Sequence, residues 1–463
     1  MLLRLMQGLG LKSNLHNFTM TKKNIISTVF IMAFFLISCN NNSTIYKGAL
    51  IIKGGTIIDL SNQGKSLNDQ TEKAVIIKAD TIFAIVSLSD ISEDQKNVIN
   101  AKGKYIIPGL TDGFTVINNQ SYANAFLYMG VTDVIGVESE RRGNFFHNAN
   151  PGPDVHMLRE VGENNTSDEE IIKTIAKHDK EGAEILLMMY KLSPQQVKLA
   201  YDEAKKYGMG TIGELGYTTY KEAENIGVDA FVHTTRYSLD TAPDTLRLKV
   251  AEEPFSNKLG SPKWRYYQYL TNLDSNNINL INHAENLAAS NSFLMPTFSL
   301  LYLNMSFSKN PWNEKVASII DEKDINRPAN KMTGKHDYPP EELIAYKKTA
   351  DAQLLIENVY HKFGAKYLAG SATDVWGTMP GISLHQELEV LKHFGLSNRE
   401  VLACATSNFN NAFGLKFGKI QKGFKANILI LDKNPLDDIR NLKENKILIL
   451  NGKEINLDSL LTK

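Results

Sequence analysis

Apolar positions in the body of the chain fall in short runs punctuated by glycine, proline and polar turn residues. At both ends this texture predicts strands. Ala49–Ile58, Ala74–Val86 and Val98–Ile107 are rich in isoleucine and valine, with Gly54-Gly55 and Lys102-Gly103-Lys104 as turns. Residues 416–456 repeat the texture: Ala426–Leu431 and Lys446–Leu450 are apolar runs between Gly423, Pro435 and Gly452. Two β-rich segments from opposite ends, 49–107 and 416–456, are predicted to pair into one small β-sandwich.

Between them, strand and helix patterns alternate. Tyr105–Leu110, Val131–Val137, Asp154–Val161, Glu184–Tyr190, Gly210–Leu215, Ala230–Thr235, Phe293–Ser299 and Lys366–Ser371 are the strand candidates. Ser193–Gly208 is the cleanest helix. Ser193 caps it, Pro194 suits its first turn, Gln196 completes a capping box, and Val197, Ala200, Tyr201 and Ala204 share one face. Thr166–Gly182 follows the same plan. Eight strands alternating with helices predict an α/β fold, a (β/α)8 TIM-like barrel over residues 108–415. The long connections Arg236–Leu280 and Leu300–Glu341 are expected over one barrel mouth or on its flank.

The first forty residues differ. Lys22 and Lys23 precede the apolar run Ile25–Ile37, which is too short for a membrane span of ~20 residues and has the form of a secretory signal. It ends Leu36-Ile37-Ser38-Cys39, similar to the lipobox of bacterial lipoproteins. Residues 1–39 are thus expected to be a signal peptide that leaves Cys39 lipidated, with residues 40–48 as a polar tether. Met20-Thr21-Lys22-Lys23 is the more natural start, which would make residues 1–19 a start extension. The expected location is extracytoplasmic, lipid-anchored to a bacterial membrane; Asn40 after the cysteine favours the outer membrane.

Charge adds an exclusion. The chain carries 51 basic and 51 acidic side chains, so it has no nucleic-acid footprint. Two cysteines, Cys39 and Cys404, cannot build a disulfide framework. Cys404 is expected to be a buried small hydrophobe.

Gly54-Gly55-Thr56-Ile57-Ile58-Asp59 and Val98–Lys104, leading into Ile107-Pro108-Gly109-Leu110-Thr111-Asp112, resemble the start of the amidohydrolase superfamily. The imidazolonepropionase- and Xaa-Pro-dipeptidase-like branch is nearest. Pro151-Gly152-Pro153, Gly227–His233, Met295-Pro296-Thr297, Pro380–Leu388 and Asn434–Ile439 continue the match in order. The resemblance implies a barrel with a composite β-sandwich, hydrolysis of C–N bonds, and one or two divalent metals that activate water and polarise the scissile carbonyl. It also implies ligands: two histidines after the first strand, a carboxylated lysine on the fourth, histidines on the fifth and sixth, and an aspartate on the eighth.

Carried over position by position, most of that set is missing. The paired histidines correspond to Phe114 and Val116, and the lysine corresponds to Leu187. Glu214 stands at the fifth-strand position, and His233 is retained on the sixth. Counting back from Pro380-Gly381 puts Ala372 at the eighth-strand place, whereas a two-residue slip puts Asp374 there. Two readings follow. One is a degenerate relative with no assigned cofactor, binding a small molecule or peptide at the barrel mouth and touching the membrane through lipid only. The other is a divergent hydrolase using Asp374 with His233 and Glu214 as ligands to a single Zn-like metal. His283, His361, His385 and His393 match no metal spacing and are expected at the surface or behind the site. The run Trp264–Tyr269 is either a pocket wall or the apolar face of a connecting helix.

Overall fold

The computed structural model describes residues 44–138, 145–163, 167–256 and 258–462. Cys39, the signal segment and residues 40–43 of the tether lie outside the described residues. Two units separate by their contacts. In one, Thr44 bridges Ile91; the other takes in residues 46–88 and 95–462. Among the described residues, no helix is long and apolar enough to cross a membrane.

The second unit holds three sheets. Eight parallel strands lie in sequence order: Leu110–Thr115, Val131–Val137, Asp154–Val161, Ile185–Met189, Gly210–Glu214, Ala230–Val232, Phe293–Met295 and Lys366–Tyr367. Past the eighth strand the chain bonds back to the first, through Gly113 N to Ala369 O and Val116 N to Thr373 O, both 3.0 Å. The curled sheet is the TIM-like barrel expected from the alternating pattern. Most of its strands are buried because both faces are covered, the inner by Leu158, Ile185, Ile212, Phe409 and Phe417, the outer by helices. Those helices are capped as read: Ser193 and Ser167 each form a full capping box.

Two antiparallel-rich sheets form the sandwich from both chain ends. One is ordered Thr81–Ser87, Lys73–Lys78, Leu50–Lys53, Val98–Asn100; the other is ordered Lys453–Ile455, Lys446–Leu450, Ile428–Leu431, Tyr105–Pro108, Thr56–Ile57. Ile52, Val75 and Ile77 of the first meet Ile106, Ile428 and Ile430 of the second in one core. Gly54 and Gly55, at φ 82° and 84°, carry the chain from one sheet to the other.

One strand is reassigned. Tyr105–Leu110 is not the first barrel strand: Tyr105–Pro108 pairs with Ile428–Leu431 in the sandwich, and the barrel begins at Leu110. Gly109 is the pivot, where a β-carbon would lie 2.0 Å from Thr132 Oγ1. The polar look of Thr111-Asp112-Gly113 conceals the true strand. Its Asp112 is fully buried and accepts from Ser371 N at 2.8 Å, fastening the first strand to the chain after the eighth; burial pushes its carboxyl up to about 6.

Candidate functional site

Ligand sites of such barrels gather where the strands end, and here those ends open into a cavity of about 340 Å³. Each strand, or the chain that follows it, delivers a residue to the lining: Phe114, Val137, Glu160, Leu187, Glu214, His233, Thr297 and Ala372, in order. The connection after the sixth strand adds Arg236, Phe255, Lys263 and Tyr267, and the one after the eighth adds Trp376.

The backbone is strained at this rim. His233, Thr297, Ala372 and Trp376 have φ of 68°, 53°, 51° and 55°, left-handed values that cost a non-glycine residue roughly 1–3 kcal/mol. Three strands also end earlier than their apolar runs predict. The sixth stops at Val232 rather than Thr235, the seventh at Met295 rather than Ser299, and the eighth at Tyr367 rather than Ser371. Strain of this kind persists where the surroundings dictate it, and it turns His233 and Thr297 toward each other.

Thr297 Oγ1 lies 2.7 Å from both Pro296 O and His233 Nδ1, so the hydroxyl ties the imidazole to the backbone at the end of the seventh strand. His233 Nε2 lies 3.9 Å from Glu214 Oε2, and its ring meets Phe114 edge to face at 5.2 Å between centroids. The other oxygen of Glu214 pairs with Arg236 Nε at 3.3 Å. Arg236 also donates to Pro254 O at 2.7 Å, and its guanidinium sits 5.5 Å from the Phe255 ring centroid.

Of the residues singled out from sequence, the cavity gathers Phe114, Leu187, Glu214, His233 and Ala372. Val116 is buried in the barrel interior, and Asp374 accepts from Asn118, outside the cavity lining. A divalent metal does not fit the residues present. Phenyl, isobutyl and methyl groups stand at three of the implied ligand places. The Arg236 guanidinium already supplies the cation opposite Glu214. Among the described residues, no group of three His, Cys, Asp or Glu side chains is placed to hold a metal ion.

The remaining histidines are elsewhere. His283 and His385 are buried, bonding Tyr237 O and Met129 O at 2.8 Å, with burial pushing both down, His385 to about 3. His393 is exposed and stacks on Phe307; His361 is half-buried beside Phe394. The aromatic run divides its work along the helix Pro262–Leu270. Trp264 packs on Tyr346, Tyr266 is buried in the core, and Tyr267 faces the cavity.

Sequence reasoning missed Arg236, Lys263, Thr297 and Trp376. Lys263 is 8 % exposed, with its ammonium 5.0 Å from the Trp376 ring centroid and 5.6 Å from that of Tyr267. Burial, then Arg236 and Arg327, push it down to about 7. Its only sequence signal is a cation in the first turn of a helix, where the dipole opposes it.

Comparison with known proteins agrees with this architecture. Among curated proteins, none matches the chain significantly. The bottromycin amidohydrolase superposes with a TM-score of 0.65 at 15 % identity, covering 90 % of this chain and 88 % of that one. A Xaa-Pro dipeptidase with methionine bound in its active site gives 0.56 at 16 % identity, covering 88 % and 99 %. The ochratoxinase of A. niger gives 0.56 at 15 %, covering 88 % and 95 %. At such identities the likeness concerns the fold. The sequence model of the amidohydrolase family matches residues 146–455, well over half of the chain. With the barrel, the composite sandwich and that match together, the chain belongs to the amidohydrolase family.

Proposed function

We propose that this amidohydrolase-family protein binds a small molecule or short peptide at the barrel mouth and does not carry out the metal-dependent C–N hydrolysis of its relatives. One observation carries the reading. Phe114, Leu187 and Ala372 turn apolar side chains into the cavity at the places where the resemblance calls for ligands, and Glu214 is engaged by Arg236. A cavity of this volume with an apolar wall and converging polar groups has the character of a small-molecule site. Fold membership does not supply catalysis when the reacting groups are gone.

The test is turnover. Purified protein is offered panels of dipeptides, lactams and lactones, with and without added zinc. No turnover above a His233→Ala control is expected. Zinc-dependent hydrolysis that His233→Ala abolishes would overturn the binding reading in favour of a hydrolase that uses His233.

The same proposal places the protein on a bacterial outer membrane through lipid on Cys39, supported by the basic residues, apolar run and cysteine in that order. Cys39→Ser is expected to move the protein from the membrane fraction to the soluble extracytoplasmic fraction and to abolish labelling by fatty acid. An unchanged membrane fraction would refute the lipid anchor.

A further inference from the structure

Three of the four left-handed residues of the rim, His233, Thr297 and Ala372, are tied from behind by a fully buried carboxyl group. After His233, Thr234 Oγ1 and Tyr237 OH both donate to Glu357 at 2.6 Å, and Tyr367 OH adds a bond at 2.9 Å. After Thr297, Ser299 N donates to Glu387 at 2.8 Å. Before Ala372, Ser371 N donates to Asp112 at 2.8 Å, and Phe114 N approaches the same oxygen at 3.4 Å. Ser299 Oγ donates to Ser371 O at 2.6 Å, which joins the second tie to the third. The acids come from three separate elements: the helix Pro340–Phe363, the helix Ile382–His393 and the first barrel strand.

Stability works against this arrangement. Burial pushes all three carboxyls up, Asp112 to about 6 and Glu357 to about 7, and Asp112 and Glu357 push Glu387 further. The left-handed turns add strain. Both costs fall at the end of the barrel where the cavity opens, and the bonds that accompany them all end on the rim. Strain survives where the surroundings over-determine the backbone, and hydrogen bonds to a carboxyl group brought in from outside the turn do that.

We infer that Asp112, Glu357 and Glu387 are positioning residues of the barrel mouth. They hold the rim in its left-handed form, so that Phe114, His233, Thr297 and Ala372 face the cavity before a ligand enters. A preformed wall spares the ligand the cost of ordering it. The inference holds for a mouth that binds and for one that hydrolyses, so the turnover panels above leave it untouched.

Hydrogen exchange of the full protein, read by mass spectrometry, is the test. In Glu387→Met, the amides of residues 295–301 and 369–375 should exchange about tenfold faster, the scale set by one lost hydrogen bond to a buried carboxyl. Strands of the sandwich core such as Ile428–Leu431 should keep native rates. Glu387→Gln, which still offers Ser299 N an oxygen, should stay within about twofold of the native chain. Thr234→Val removes one donor to Glu357 from a side chain of the same shape, and should speed exchange about tenfold in residues 232–238 alone. It decides the matter should Glu387→Met fail to fold in a circular-dichroism melt. Exchange that quickens equally in mouth and sandwich, native rates at the mouth in either variant, or Glu387→Gln as open as Glu387→Met would overturn the inference.

Discussion

Arg236→Met separates a carboxylate committed to an arginine from one available to a metal. Glu214 and Arg236 have side chains 6 % and 12 % exposed and lie 3.3 Å apart. At an effective dielectric of ~20 their attraction is about 5 kcal/mol. Desolvation of the two charges offsets part of it, and breaking a buried pair by removing one partner costs about 3–5 kcal/mol. The lost bond to Pro254 O adds about 1 kcal/mol. Urea unfolding followed by intrinsic fluorescence should show Arg236→Met destabilised by about 3–5 kcal/mol. Adding Glu214→Gln removes the stranded charge and should recover all but ~1 kcal/mol. A loss in Arg236→Met no larger than ~1 kcal/mol, or a double variant as unstable as the single, would refute the assignment of Glu214 to Arg236.

Two further variants probe the frame around the site. His156 lies 3.3 Å from Asp133 and 3.2 Å from Glu184 and stacks on Phe417; against the cost of burial, the two carboxylates raise its pKa to about 9. The folded value exceeds the unfolded one near 6.5, so its contribution is complete below pH ~6.5 and is lost as pH rises through 9; at most it is on the order of 3 kcal/mol. Stability measured from pH 6 to 10 should fall over that window in the native chain and less steeply in His156→Gln; parallel curves would contradict the linkage. At the pivot, Gly109→Ala drives a β-carbon into Thr132, whose hydroxyl also donates to Asp133 at 2.7 Å. A loss of about 1–3 kcal/mol is expected, partly restored by Thr132→Ala, and a neutral Gly109→Ala would show that the strand can yield.

Much of the frame is legible in the sequence because it rests on burial and periodicity. Barrel strands such as Ile185–Met189 and Phe293–Met295, covered on both faces, read as unbroken apolar runs, and Ser193 and Ser167 announce their helices by capping chemistry. The strand ends are not legible. His233, Thr297 and Ala372 take left-handed backbone that no local residue type demands, since only glycine signals φ > 0 in a sequence. Tyr105–Leu110 misled because a run of apolar residues does not tell which of two sheets it joins. At the site, Glu214, His233 and the apolar residues at ligand places could be found by position along a resemblance. Arg236 and Lys263 could not, because they meet in space from a long connection without a repeating pattern. The choice between Ala372 and Asp374 was open to a two-residue slip. In the structure Ala372 faces the cavity, and the Asp374 carboxylate accepts from Asn118.

Whether the barrel mouth works without a metal is answered most directly by elemental analysis of protein purified without chelator. No transition metal in stoichiometric amount is expected, before or after dialysis against zinc. One metal ion per chain that disappears in His233→Ala would contradict it.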